Sequence, residues 1–448
     1  MTKKTTKKNH DTIASDFIIS LVDTEKINPV SADFLRLCAF YAENIPEEIL
    51  KEGTKDLGEH FEGISDPTTW ENALTEACNS GFLHHDPSHN MVTMNYSIQN
   101  FLRQGLSKSE QHDWVKKAAQ SVKNVFPEVK FSNWTQCQRL LPSAKACVDR
   151  IIKWGLASED NAYLLNITAN YLHEKGQYAQ AKPLYKQALA IREQILGKEH
   201  IKIAETLNDL ASLYHVQGKY LQAKPLYERA LEIVEKALSQ EPSDVKVLYE
   251  KKGTSFNNLG SLHKAQRLFD EAKPYYEKAL EIWEGGLCDE KSNLAATLNN
   301  LGGLYEAQRD YEHAEPLYDR ALEIWKEILE PGHPSISATL NNLGGLYKVM
   351  GRDEEVQPLM EQALAIRENA LGDEHPDVAI SLNNLAELYK ISGEYSQAKP
   401  MYERALKILR NSFDPNHPHI IMCTINYKNA LSLIKSSKKR RKKHRKKK

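Results

Sequence analysis

The sequence predicts an all-α solenoid, a stack of helical hairpins, behind a small helical domain that carries a β-hairpin. Three observations predict it. A proline-marked motif recurs six times at a nearly constant interval. Each interval holds two stretches of apolar residues at helical spacing. The repeat does not extend into the first third of the chain.

The motif is Ala-Lys-Pro at Ala181, Ala223, Ala272 and Ala398, with Ala-Glu-Pro at Ala314 and Val-Gln-Pro at Val356. Its prolines, Pro183, Pro225, Pro274, Pro316, Pro358 and Pro400, lie 42, 49, 42, 42 and 42 residues apart, and the 49 reflects a seven-residue insertion near SQEPSDVKVLYEKKG. A fixed period of this size marks a repeat array. In the fourth unit Leu298, Leu301, Leu304 and Tyr305 define one apolar helix face, and Tyr311, Ala314, Leu317, Tyr318, Ala321 and Ile324 define a second. The polar turn AQRD separates them, and Gly302, Ala314 and Ala321 are small where two helices must approach closely. Pro334, Pro376 and Pro418 are placed to open the first helix of the next unit, where the missing N–H costs little.

The order Leu301-Gly302, Tyr305, Ala314, Tyr318, Ala321 resembles the tetratricopeptide repeat. The 42-residue period, with LNNLGGLY, AxPLYxRALEI and LGxxHP, is similar to the kinesin-light-chain type. The resemblance covers residues 159–435, six repeats plus a capping helix over His419–Ile434 that keeps Asn426. It implies a right-handed superhelix with a concave groove, because no single hairpin can bury its apolar face alone.

Each first helix also carries polar residues beside its apolar stripe: Asn166; Asn208 and Asp209; Asn257 and Asn258; Asn299 and Asn300; Asn341 and Asn342; Asn383 and Asn384. Asparagine is a mediocre helix former, so a periodic series calls for a reason. Adjacent helical residues diverge by about 100°, so both members of a pair can border one broad face. A carboxamide offers two donors and an acceptor, which suits the backbone of an extended guest peptide. The same amides can instead bond neighbouring repeats, and the two roles can coexist. In the resembled family these first-helix positions hold peptide ligands. Nearby positions vary: Asn170, Ser212, Ser261, Gly303, Gly345 and Glu387, then His215, Lys264, Glu306, Lys348 and Lys390. Lys264, Lys348 and Lys390 hint at acidic ligands, although a solvated lysine is the plainer reading of each.

The first third reads as a basic, disordered start over 1–12, a helical domain with a hairpin over 13–107, and a helical connector over 108–158. SADFLRLCAFYAENIPEEIL predicts helix, a turn at Pro46, and helix; TTWENALTEACNSGFLHHD predicts a helix running into a strand. FLHHDPSHNMVTM predicts a hairpin turning at Asp86-Pro87-Ser88. Ser107 and Glu110 are spaced as a capping box. Three helices with a hairpin make a winged helix. FLRLCAFYAENIPEEIL, MNYSIQ and NWTQCQRLLPSA resemble the winged-helix segment of NB-ARC/STAND regulators that carry tetratricopeptide arrays. No GxxxxGK(S/T) phosphate loop occurs, and the family's nucleotide-sensing histidine is Asn95 here. The resemblance therefore implies either an adaptor or the sensor half of a split switch working with a separate NTPase subunit. A winged helix can also bind DNA, but the hairpin HHDPSHNM has no Lys or Arg for phosphates.

Composition narrows the rest. The net charge of −1 hides an asymmetry: ten of the 59 basic residues lie in the last eleven, leaving 49 against 60 acidic residues in the body. Lys438, Lys439, Arg440, Arg441, Lys442, Lys443 and Arg445 belong to a stretch over 436–448 expected to be disordered by self-repulsion. That tail is a candidate for nonspecific RNA, DNA or anionic-membrane contact, or for nuclear or host-cell targeting. Six scattered cysteines, Cys38, Cys78, Cys137, Cys147, Cys288 and Cys423, form no CxxC pair and predict core thiols in a reducing, cytoplasmic setting. His84, His85, Asp86 and His89 match no common metal-ligand spacing. His333, His375 and His417 recur every 42 residues, which fits helix starts and not a catalytic site. No nucleophile, acid–base pair, cofactor motif or metal set emerges, so the expectation is a non-enzymatic scaffold that binds protein.

Overall fold

The computed structural model describes residues 29–240, 244–286 and 290–445. The N-terminal 1–12 segment and Cys288 lie outside the described residues, as do the tail residues 446–448 and the side chains of Lys438 to Arg445. The chain forms two compact units, one of residues up to 172 with 180–198, the other of 173–179 with 199 onward. Among the described residues nineteen α-helices and three short strands occur.

In the first unit, α1 (Pro29–Cys38) buries Phe34, Leu35, Leu37 and Cys38 completely. Phe34 meets Trp70 of α3 (Pro67–Asn79) edge-on at 5.6 Å. The expected hairpin is present: β2 (His84–Asp86) pairs antiparallel with β3 (Met91–Thr93). Asp86 accepts from the Ser88 N–H at 3.0 Å, and Asn90 takes the left-handed conformation that closes the loop. The expected turn at Pro46 is instead strand β1 (Asn44–Pro46), which completes the order β1-β3-β2 before α2 (Glu47–Lys51). Three residues are too few for alternation to reveal a strand, and proline is tolerated at an edge because it has no N–H to leave unpaired.

Asn95, where the resembled regulators have histidine, caps α4 (Tyr96–Gln104) by accepting from the Ser97 N–H at 2.8 Å. Behind it, buried Gln99 donates to the carbonyls of Cys38 (3.2 Å), Tyr41 (3.4 Å) and Ala42 (3.1 Å), so its amide closes the C-terminal end of α1. The predicted capping box opens α5 (Lys108–Val125): Glu110 N–H donates to Ser107 Oγ at 3.3 Å, and Ser107 N–H to Glu110 Oε2 at 2.7 Å. Helix α6 (Trp134–Trp154) ends on left-handed Gly155. The unit also holds most of the first helix pair, α7 (Glu159–Glu174) and α8 (Tyr178–Leu196), where buried Arg192 pairs with Glu159 at 3.3 Å.

The second unit is the repeat array. Its pairs are α9/α10 (Ile201–Val216, Tyr220–Leu238), α11/α12 (Val245–Ala265, Phe269–Glu284), α13/α14 (Lys291–Ala307, Tyr311–Ile328), α15/α16 (Pro334–Met350, Asp353–Leu371) and α17/α18 (Pro376–Ile391, Tyr395–Ser412). A single helix, α19 (Pro418–Arg445), follows. The marker prolines each stand inside a second helix, in its first two turns. Ala272, Ala279, Ala314, Ala321, Ala398 and Ala405 are fully buried, as the close-packing reading requires. Tyr276, Tyr318 and Tyr402 from the second helices are almost wholly enclosed.

One tail expectation changes. The backbone of α19 stays helical through Arg445, where disorder from 436 was expected. Lysine and arginine are good helix formers, and extending an existing helix needs no new nucleus. No described helix is long and apolar enough to cross a membrane.

Candidate functional site: an amide ladder on the first helices

The asparagine pairs bond from repeat to repeat. Asn300 Nδ2 donates to Asn257 Oδ1 at 3.0 Å, Asn342 to Asn299 at 3.0 Å, and Asn426 of α19 to Asn383 at 3.2 Å. The register is constant: the asparagine at the second position of the pair, which Asn426 occupies alone on α19, reaches the first asparagine of the preceding unit, 43 residues back. It exists because a 42-residue repeat stacks equivalent helices side by side, so two adjacent faces carry the same residue type at the same height.

Two rungs break the pattern for a readable reason. Asn208 donates to Ser255 Oγ at 3.2 Å and Asn341 to Ser381 Oγ at 2.7 Å. The equivalent residues elsewhere are Thr297 and Thr339, whose hydroxyls donate to their own helix at Asn293 O (2.8 Å) and Ser335 O (3.4 Å). A β-branched threonine has fewer side-chain rotamers, and its Oγ settles against the preceding turn. Thr297 then accepts from the Trp283 indole, whereas Ser255 and Ser381 accept an asparagine amide. In consequence Asn383 donates to its neighbour Asn384 at 3.4 Å, and the buried oxygens of Asn208 and Asn341 have no partner among the described residues.

Ser381 also receives Arg367. This buried guanidinium donates to Ser337 Oγ, Ser381 Oγ and the Asp377 carbonyl, each at 3.0 Å. Removing Ser381 Oγ would strand a buried charge and a buried amide together. Ser381→Ala is therefore expected to lower stability by about 2 kcal/mol, read as an earlier urea midpoint with unchanged slope.

The variable positions form a second row. Lys264 Nζ donates to Asn300 O at 3.4 Å, in the space left by Gly303, where a Cβ would lie 2.9 Å from the ammonium. Burial lowers the Lys264 pKa to about 8, against the pull of Glu306. Glu306 accepts from Tyr318 Oη at 2.7 Å, and burial raises its pKa. Glu387 accepts from Tyr402 Oη at 2.8 Å and pairs with Lys390 at 2.6 Å. Lys348 is half-buried, its pKa lowered by desolvation, with Glu387 and Lys390 among its charged neighbours. The row thus alternates in sign, and Lys264 and Lys390 are engaged with the protein itself.

Of the other predicted residues, Asp209 and Asn258 are half-buried on the same helices, and Asn166 is buried in the first unit. His85 bonds Glu47, and His89 meets Asp86 at 2.7 Å. Cys38, Cys137, Cys147 and Cys423 are buried thiols, Cys78 is half-buried, and burial raises the pKa of all five. Sequence reasoning missed the serine–threonine choice; its only signal is that Ser255 and Ser381 stand where Thr297 and Thr339 do.

A tetratricopeptide repeat family model matches residues 160–236, 251–327, 293–369 and 335–411, together more than half of the chain. The chain belongs to the tetratricopeptide repeat family, and its repeats mark it as a protein-interaction scaffold. Similar solved structures include kinesin-light-chain-like proteins. BtubC (BKLC) from P. vanneervenii shares 24% identity over 55% of this chain and 93% of its own, with a TM-score of 0.38. A putative kinesin light chain with nearly identical repeats from Podosopora anserina shares 25% identity over 47% and 96%, at 0.35. A STAND protein with a tetratricopeptide sensor from Pyrococcus horikoshii shares 15% identity over 91% of this chain and 60% of its own, at 0.46. No curated protein sequence matches.

Proposed function

We propose that this protein is an adaptor that grips an extended segment of a partner protein along the first helices of its repeats. The observation that carries the reading is the unused capacity of the ladder. Asn300 and Asn342 each commit one N–H to the preceding repeat. A carboxamide has a second N–H and an oxygen to offer. A row of such groups spaced by one repeat can hold a guest backbone while the alternating charged row beside it selects side chains. The winged-helix reading of the first unit fits its small sheet and flanking helices, and it adds no nucleotide site.

The test uses the full chain as bait for a displayed library of randomised linear peptides. Gly345 lies in this row, and a Cβ placed there would meet only Glu306 Oε1, at an ordinary 3.5 Å. Gly345→Trp has room for its Cβ and projects an indole beside the ladder, and an unchanged urea midpoint shows that the packing behind it is kept. Selected peptides are expected to bind this variant at least tenfold more weakly. Equal binding, or no peptide enriched by the wild-type chain, would refute the groove reading.

A further inference from the structure

The second unit touches itself across 201 residues, twice, in one register. His375 Nε2 lies 3.0 Å from the carbonyl of Glu174, and His417 Nε2 lies 2.8 Å from the carbonyl of Val216. Glu174 and Val216 are the last residues of their helices, where carbonyls have no intrahelical partner. The other ring nitrogen of each histidine accepts from a helix start: Asp377 N–H reaches His375 Nδ1 at 3.1 Å, and His419 N–H reaches His417 Nδ1 at 3.2 Å. Accepting at Nδ1 fixes the tautomer, so Nε2 carries the hydrogen and donates to the distant carbonyl. Each neutral ring thus joins the end of one helix to the beginning of another.

The surroundings are built for the contact. Gly176 and Gly218 adopt left-handed φ, and a Cβ on them would lie 2.7 Å from Pro376 Cδ and 3.0 Å from Pro418 Cδ. Gly393, in the equivalent turn, has nothing within 4 Å of that position. Lys219 pairs with Asp414 at 2.8 Å, Lys175 donates to Leu371 O at 3.4 Å, and Phe413 stacks between Tyr178 (5.5 Å) and His417 (3.8 Å).

We propose that His375 and His417 are a pair of latches that hold the array in a closed coil, and that proton uptake by their rings opens it. A protonated ring carries hydrogen on both nitrogens, so it can no longer accept from Asp377 or His419, and it brings a positive charge to the positive end of a helix dipole. The charged and titratable groups facing His375 are Asp377, Lys175, Arg367 and His173, with the Glu174 carboxyl, whose pKa burial raises to about 7, beside Asp377; those facing His417 are Asp414, Lys219 and His419. Burial lowers the pKa of both latch histidines. The closed state therefore disfavours the proton, and opening is driven as pH falls below the ordinary histidine value of about 6.5. Each ring that gains a proton on opening shifts the closed-to-open ratio by up to about tenfold per pH unit. The latch stands independently of what the first helices bind; its effect on a guest would be to control entry from the side.

The experiment measures the distance between spin labels at Leu221→Cys and Asn416→Cys, both exposed, in a full chain with Cys78 and Cys288 replaced by serine. At pH 7.5 a single short distance is expected. At pH 5.5 a longer population should appear while the far-UV helical signal is unchanged. Glutamine keeps a donor near the Nε2 position and does not titrate, so a His375→Gln, His417→Gln variant is expected to show the same distances at both values. A wild-type distribution independent of pH, opening that coincides with loss of helix, or a glutamine variant that still opens on acidification would each overturn the proposal.

Discussion

Gly253→Ala is expected to destabilise the repeat array by about 3 kcal/mol, although alanine is the better helix former by about 1 kcal/mol. A Cβ at Gly253 would lie 2.5, 2.7 and 2.9 Å from Cζ2, Cη2 and Cε2 of Trp283. The indole is only 5% exposed, and its Nε1 donates to Thr297 Oγ1 at 3.1 Å in the next repeat. It has no free volume to retreat into without breaking that bond. The added methyl therefore overpacks one interface and unties a second. Gly345→Ala is the contrasting case, because the nearest atom to its Cβ is a flexible carboxylate oxygen at 3.5 Å. A chemical-denaturation series should place the Gly253 variant well below the wild-type midpoint and the Gly345 variant at or above it. Equal midpoints would show that the helix around Gly253 shifts freely, and the packing account of the small residues would be wrong.

The second large effect is acid sensitivity well above the carboxylate range. Burial lowers the pKa of His173, His215 and His419 to about 4. Each is neutral in the fold and takes up a proton near pH 6.5 when unfolded. The unfolded chain thus binds more protons between these values, so stability rises with pH across the window. The contribution is complete above pH 6.5, falls as pH drops below it, and is exhausted near pH 4. With allowance for partial solvent exposure, each ring is worth on the order of 2 kcal/mol. Burial raises the pKa of Glu174 to about 7 and raises that of Glu306; both act in the opposite direction, and Glu174 offsets about one ring's share of the loss. Melting the full chain in steps from pH 7 to pH 4.5 is expected to show a steady fall, and His215→Gln should remove one share of the slope. A flat profile over that interval would contradict the burial of these rings.

Both predictions reach past what could be read along the chain. The repeat was legible because its signals are local and recur: apolar spacing, small residues at close approaches, and proline at a helix start each act within a few residues. Six copies make accidental agreement implausible. The capping box at Ser107 and Glu110 was legible for the same reason. Strand β1 was not, since its only cause is pairing with Val92 and its neighbours, distant in sequence. The helical course of the basic stretch was not legible from its charge, because it continues a helix that begins at Pro418.

For the asparagines, the sequence placed the residues without choosing between guest and neighbour. Residue type and period put carboxamides at one height on every first helix. Whether an amide bonds its counterpart, as Asn342 does, or a serine, as Asn341 does, follows the residue that stands across the interface. The histidines show the same division more sharply. Their 42-residue spacing before proline identified them as helix starts by local chemistry. That two of them also reach carbonyls 201 residues away follows only from the curvature of the stacked helices, a sum of small rotations at every interface that no short stretch of sequence encodes.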